Sequence, residues 1–234
     1  MTVPRRIVTG ALAVLLPYAA SFGILWVRTR SIAPPRATLS TKEVDILDWA
    51  QDILTRNLDT AEKEMTRTSS AVTNLGRDVK DLSEPWYGNA GDEILSSAQL
   101  TLNNQRRLVD VQKMVIGELK LCDQTIKGLR QPISRRILMD TIREIDEWAP
   151  KIQETIDETG RGIVKTKLGL RIDPKTLPEP LGYEWNRLML ANMEQEATLT
   201  DLKSLHSDAT KAAEPLKRLV ERTPIIYQTL RFPF

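Results

Sequence analysis

The fold is decided by residues 40–82, which read STKEVDILDWAQDILTRNLDTAEKEMTRTSSAVTNLGRDVKDL. Apolar side chains recur there every seven residues, along two series that are three positions apart. The series are Val44, Gln51, Leu58, Met65, Val72 and Val79, and Leu47, Leu54, Ala61, Thr68, Leu75 and Leu82. A repeat held over more than five heptads is typical of helices that pack knobs into holes, within one bundle or between chains.

The start of this helix is marked by Ser40 and Glu43. A Ser at the N-cap and a Glu three residues later each satisfy a backbone amide that the first turn leaves unpaired. On the outer face, Asp52 precedes Arg56 by four residues, which is a favourable helical pairing of surface charges. The pattern therefore predicts a long amphipathic helix that begins beside Ser40.

Three further amphipathic stripes follow, and short turn signals separate them. Their apolar positions are Ile94, Ala98, Leu102, Val109, Val115, Ile116, Leu119 and Ile126; Leu138, Ile142, Ile145, Ala149, Ile152 and Ile156; and Trp185, Leu188, Leu199, Leu202, Leu205, Ala213 and Leu216. Because short turns bring successive helices back antiparallel, we expect an all-α, elongated antiparallel bundle of about four long helices with coiled-coil-like heptads.

Proline and glycine predict where these helices are interrupted. The stretch 173–182 holds three prolines and is the clearest loop. We expect a kink or break at Pro150 and a local restart at Pro215, since an internal proline lacks an amide hydrogen. Gly160, Gly162 and Gly169 should loosen the end of the third helix.

Composition supports helices and argues against nucleic acid as a partner. Aromatic residues make up only 5% of the chain, whereas strand-rich folds favour aromatic and β-branched residues. Six of the 33 basic residues precede Glu43, the first acid, which leaves 27 basic against 31 acidic residues and a net charge of −4 for the remainder. Such a domain lacks the positive surface that phosphate binding requires.

Residues 7–27, IVTGALAVLLPYAASFGILWV, form a run of 21 residues without a charge. As a helix this run would be about 32 Å long, enough to cross a hydrocarbon core of about 30 Å. A mid-run proline is tolerated in membrane spans, and an aromatic residue followed by arginines suits the membrane interface. The residues that we expect in the membrane or at its interface are Leu15, Pro17, Trp26, Arg28 and Arg30.

Two other interpretations of this run stay open, namely a cleaved signal peptide and a buried core helix. The chain thus divides into a basic N-terminus (1–6), a transmembrane helix (7–27), a spacer rich in basic residues and proline (28–39), the bundle (40–223) and an apolar tail (224–234). We expect a single-pass membrane protein. Basic residues on both sides of the span leave its orientation open; an organelle inner membrane or a cytosol-facing membrane is favoured over a secretory lumen, because the chain has no glycosylation sequon.

The sequence offers little catalytic chemistry. Cys122 is the only cysteine and lies in an apolar helical pattern, so we interpret it as a buried structural residue. His206 is the only histidine, and we interpret it as a solvated helix residue. Residues 160–166 lack the glycines of a phosphate loop, and the acids Glu144 and Glu147 are predicted to be solvated. We therefore expect no enzyme activity and no cofactor.

Aromatic residues at the turn after the first helix and in the tail are the candidate partner contacts, since such side chains anchor protein interfaces. They are Trp86, Tyr87, Tyr227, Phe232 and Phe234. The alternative is that they fold back over the bundle ends. We expect a membrane-anchored scaffold, tether or accessory subunit that binds lipid through residues 7–27 and a protein, or a second copy, through the bundle or tail. The alternatives are a membrane-perturbing bundle whose N-terminal helix inserts on a trigger, a sensor, or an enzyme.

Overall fold

A computed structural model describes residues 40–83, 88–130 and 135–222. These ranges contain four long α-helices. They are α1 (Thr41–Ser83), α2 (Gly88–Arg130), α3 (Arg135–Gly169) and α4 (Glu179–Arg222), with a short 3₁₀ turn at Pro174–Thr176. No strand occurs within these ranges. The prediction of an all-α helical bundle with four long helices is confirmed.

The predicted membrane helix 7–27, the spacer and the tail 224–234 lie outside the described residues. Within the part of the chain that the structure describes, no helix combines the length and apolar character needed to cross a membrane.

Neighbouring helices run antiparallel, as the ion pairs between them show. Arg130 near the end of α2 pairs with Asp48 near the start of α1. Lys217 near the end of α4 pairs with Asp146 in the first half of α3, at 2.7 Å. We call the end that holds the starts of α1 and α3 and the ends of α2 and α4 the near end; the opposite end is the far end.

Helices α2 and α4 form the centre of the bundle, because each of them packs against all three of the other helices. Helix α2 contacts α4 across the bundle, so α1 and α3 lie on opposite sides of an α2–α4 pair. This position explains why α2 buries 18 residues whereas α1 buries seven, and why many of the 18 were not selected by the sequence pattern.

Only one of the two heptad series in α1 is fully buried. Every residue of the series from Leu47 to Leu82 is buried, together with Ala50. The other series lies at the margin, and its first residue, Val44, is 40% exposed. The reason is that α1 packs chiefly against α2 and less closely against α4, so a single row suffices to fill its interface.

The expected restart of α4 at Pro215 is wrong, and the break considered at Pro150 of α3 does not occur. Helix α3 continues through Pro150 and α4 continues through Pro215, without a break at either position. Gly160 and Gly162 lie inside α3, and Gly169 is the residue at which this helix ends. A proline costs a helix one hydrogen bond, and packing along both helices outweighs that local loss.

Glycines allow α2 and α3 to approach closely at two levels. A Cβ atom on Gly117 of α2 would lie 2.5 Å from Cζ3 of Trp148. A Cβ atom on Gly162 of α3 would overlap Oδ1 of Asn104. These glycines are therefore packing residues whose missing side chain makes room for a neighbour.

The loop between α3 and α4 is ordered by its own polar groups. Asp173 Oδ1 accepts a hydrogen bond from the Lys175 amide at 3.0 Å, and this contact caps the 3₁₀ turn. Trp185 Nε1 donates to the Leu170 carbonyl at 3.1 Å. Helix α4 begins at Glu179, which lies inside the loop 173–182 expected from the sequence.

Candidate functional site

Thirteen polar residues are buried among the helices of the bundle. They are Thr68, Ser97, Thr101, Asn104, Gln105, Gln112, Glu118, Thr125, Thr159, Thr166, Asn192, Gln195 and His206. Most of them lie on α2 and α4, the pair at the centre. Because a buried polar group is costly unless it is hydrogen-bonded, their partners show how the helices are held in register.

Glutamines form a polar layer that joins α1, α2 and α4. Gln195 Nε2 donates to the Thr101 carbonyl and to Gln105 Oε1, both at 2.8 Å. Gln105 donates in turn to the Thr68 carbonyl at 3.3 Å, and Gln112 Nε2 donates to Thr68 Oγ1 at 2.9 Å. Each bond requires one axial position of its partner, so the layer fixes the register of the three helices.

A second set of polar contacts ties α3 to the central pair. Asn104 Nδ2 donates to Thr166 Oγ1 at 2.9 Å, beside the space that Gly162 leaves open. Asn192 Nδ2 donates to the Ile163 carbonyl at 3.3 Å. The third helix is thus positioned by side chains from both α2 and α4.

The only buried acid–histidine pair in the described residues joins α2 to α4. His206 Nδ1 lies 2.7 Å from Glu118 Oε2, and both side chains are sealed: that of Glu118 is 0% exposed and that of His206 is 8% exposed. The other carboxyl oxygen of Glu118 has no hydrogen-bond partner among the described residues. The interpretation of His206 as a solvated residue is wrong, because it occupies a core position between Leu202 and Ala209.

Cys122 lies one helical turn beyond Glu118 and is fully buried, which confirms its interpretation as a structural residue. Its Sγ contacts the Ala209 carbonyl at 3.9 Å. Burial, together with the nearby Glu118 carboxyl, raises the pKa of the Cys122 thiol to about 12. Since the thiolate is the nucleophile, this cysteine is inert near neutral pH.

Glu118, His206 and Cys122 are closed off from solvent, so no substrate reaches them in this conformation. Within residues 40–83, 88–130 and 135–222, no three His, Cys, Asp or Glu side chains are grouped to hold a metal ion. Glu144 and Glu147 are exposed on α3, as predicted. The polar interior is best described as a set of register-fixing contacts.

A small surface groove of about 150 Å³ runs between α1 and α4. Asn57 Nδ2 donates to Asp208 Oδ2 across it at 3.2 Å, and Glu64 and Asp201 add acidic groups to its rim. Of the described residues, no histidine, cysteine or basic side chain lines this groove. It has room for a few water molecules, since each occupies about 30 Å³ in the liquid.

Large apolar side chains are exposed at both ends of the bundle. We call Val164, Leu168, Leu190 and Met193, on α3 and α4, the far-end patch; their exposure is 49–63%. We call Val44, Ile46 and Trp49 on α1, and Ile137 and Met139 on α3, the near-end collar; their exposure is 36–59%. Tyr183, near the start of α4, is exposed as well. Among the described residues, the middle of the bundle exposes no large apolar side chain.

None of the residues that the sequence singled out as contact or anchor positions falls in the described ranges. These are Trp86, Tyr87, Tyr227, Phe232 and Phe234, and Leu15, Pro17, Trp26, Arg28 and Arg30. The buried His206–Glu118 pair was missed, although the spacing of Leu199, Leu202 and His206 by three and four residues was a signal for it.

Comparison with known proteins adds no relative to this picture. No protein-family model matches the chain, and no curated protein matches it in sequence.

Proposed function

We propose that this chain is a non-enzymatic, membrane-anchored helical bundle that acts as a scaffold, tether or accessory subunit of a membrane protein complex. The observation that carries the proposal is the far-end patch. Its four large apolar side chains lie about half exposed on α3 and α4, in a bundle whose middle surface is polar. Apolar groups left together on a soluble surface mark interaction sites more often than isolated ones do.

The two helices hold the patch together as one surface. Asn192 of α4 donates to the carbonyl of Ile163, and the residues that follow these two in sequence are Met193 and Val164. Lys167, the residue directly before Leu168, pairs with Glu196 at 2.8 Å. Because side-chain contacts lock this seam, a partner that binds the patch meets a preformed surface and loses little entropy in ordering it.

The interior also supports a binding role over a catalytic one. Its polar side chains are used to join helices, and its thiol is inert near neutral pH because the pKa of Cys122 is raised to about 12. The membrane attachment rests on the charge-free run 7–27 and the arginines after it. A bundle fixed to a bilayer at one end and apolar at the other suits a tether.

The test is co-purification of the full chain from membranes in mild detergent, with Leu190→Gln/Met193→Gln beside the wild type. Two contact side chains that each contribute about 1 kcal/mol to binding weaken the complex roughly 30-fold when both are removed. We expect this variant to lose its partner, or its second copy, while its helix content stays unchanged.

The matched control is Ser207→Gln/Thr210→Gln, which adds the same side chains at the same spacing to exposed positions of α4 away from the patch. The control should retain the partner. A wild-type protein that is monomeric and free of partners, or a partner that survives the patch variant as well as it survives the control, would overturn the role of the patch.

A further inference from the structure

The near-end collar lies on two sides of the bundle, in the first turns of α1 and α3. Its α1 residues lie within nine residues of the start of that helix, and its α3 residues lie within five residues of the start of theirs. At 1.5 Å per residue, the collar occupies about the first 13 Å of α1 and about the first 8 Å of α3.

This arrangement restricts what can cover the collar. Helices α1 and α3 lie on opposite sides of the α2–α4 pair, so Trp49 and Met139 do not belong to one face. A partner that packs against the flank of the bundle would cover one of these sides and leave the other exposed. A broad layer that the end of the bundle enters would cover both sides.

The chain itself leads to such a layer. The charge-free run ends at Val27 and α1 begins at Thr41, which leaves 13 residues between them. A segment of that length extends to at most about 45 Å. The near end is therefore the end of the bundle to which the proposed membrane span is connected in sequence.

The residue types suit the interfacial layer of a bilayer. Trp49 combines a large apolar ring with an indole N–H, a combination that favours the headgroup region. Exposed Lys42 lies one turn before Ile46, and exposed Arg136 directly precedes Ile137. Basic side chains of this length bury their stems along apolar groups and keep their charge at the surface.

We propose that the near end of the bundle is seated in the interfacial layer of a phospholipid bilayer, with the collar on α1 and α3 as its contact. This contact rests on the proposed membrane anchorage and adds to it a second, peripheral attachment that sets the bundle upright on the membrane. The far-end patch would then be presented away from the bilayer, on α3 and α4.

The experiment places one environment-sensitive fluorophore on the full chain in phosphatidylcholine vesicles that contain nitroxide lipids. Trp49→Cys and Met139→Cys carry it on the two sides of the collar, and Leu168→Cys and Leu190→Cys carry it at the far end with similar exposure. Native Cys122 is fully buried, so the unmodified chain serves as the unlabelled background. We expect several-fold stronger quenching at both collar positions than at both far-end positions.

Equal quenching at the four positions would overturn the proposal. Quenching at Trp49→Cys without quenching at Met139→Cys would also overturn it, because only one side of the bundle would then contact the bilayer. Alkaline carbonate extraction of the same vesicles tests the anchorage separately. If carbonate extracts the chain and the collar is still strongly quenched, the membrane span is refuted and the collar contact is supported. If the chain stays in the membrane and quenching is equal at all four positions, the span is supported and the collar contact is refuted.

Discussion

At the scale of single residues, the core of this bundle uses polar side chains where aliphatic ones are the common choice. Glu118 and His206 meet across α2 and α4 at 2.7 Å, and neither side chain has appreciable access to water. A buried pair of this kind adds little net stability compared with apolar residues of the same size, but removing one partner leaves the other without its compensating contact. The pair therefore constrains which helix faces meet.

The first prediction concerns this pair. His206→Leu should lower the free energy of unfolding by about 1–3 kcal/mol, because it leaves the Glu118 carboxyl buried without its hydrogen-bond partner. The double variant Glu118→Leu/His206→Leu should recover most of that loss. Urea unfolding of the full chain in mild detergent, followed by circular dichroism, measures both. A double variant as unstable as His206→Leu would show that the two side chains do not act as a pair.

Residue roles could be predicted from the sequence only where one pattern decides them. Cys122 follows an apolar row, and its burial is confirmed. His206 also has the spacing of a core residue, but its polar side chain indicated a solvated position. No local pattern identifies Glu118 as its partner. Pairing between residues 88 positions apart depends on the packing of α2 on α4, which no local pattern contains.

At the scale of the helices, packing outweighs local propensity. Pro150 and Pro215 lie inside α3 and α4, yet both helices continue, and two glycines of α3 lie inside it. Trp148 packs over Gly117 of α2, where any side chain would collide with the indole ring. The glycine thus sets how closely α2 and α3 approach.

A comparison of two glycines tests this explanation. Gly117→Ala should destabilise the bundle by about 1–3 kcal/mol, because its Cβ would lie 2.5 Å from a rigid ring in a packed interface. Gly76→Ala, in α1, should stabilise it by about 0.5–1 kcal/mol, since nothing lies within 4 Å of that Cβ and alanine favours a helix. Thermal unfolding of both variants gives the comparison. Equal effects of the same sign would refute a packing role for Gly117.

Heptad spacing and turn residues were sufficient to predict four long helices, and the start of α1 beside Ser40 agrees with the structure. They were not sufficient to predict which row of each helix is fully buried. The series that begins at Val44 has the same spacing as the buried one, and only the position of α2 and α4 around α1 distinguishes them. Proline and glycine predicted more helix breaks than the structure contains, because whether a helix continues also depends on the residues that pack around it.

At the scale of the whole bundle, the antiparallel order places two exposed apolar groups at opposite ends. The near-end collar lies in the first turns of α1 and α3, and α1 is the helix that follows the proposed span in sequence. The far-end patch lies on α3 and α4, and its first α3 residue, Val164, comes 25 residues after Met139 of the collar. Neither group could be predicted from the sequence, because their side chains resemble core residues until the packing leaves them exposed. We propose that the near-end collar contacts the membrane and that the far-end patch contacts a partner.

The central claim is that the bundle holds a partner on a membrane, and crosslinking mass spectrometry on native membranes tests it most directly. Lys165 and Lys175 are exposed near the far-end patch and provide the reactive amines. The account predicts crosslinks from these lysines to other proteins or to a second copy of the chain. Crosslinks confined to pairs within one chain would contradict it, because the far end would then be in contact with nothing.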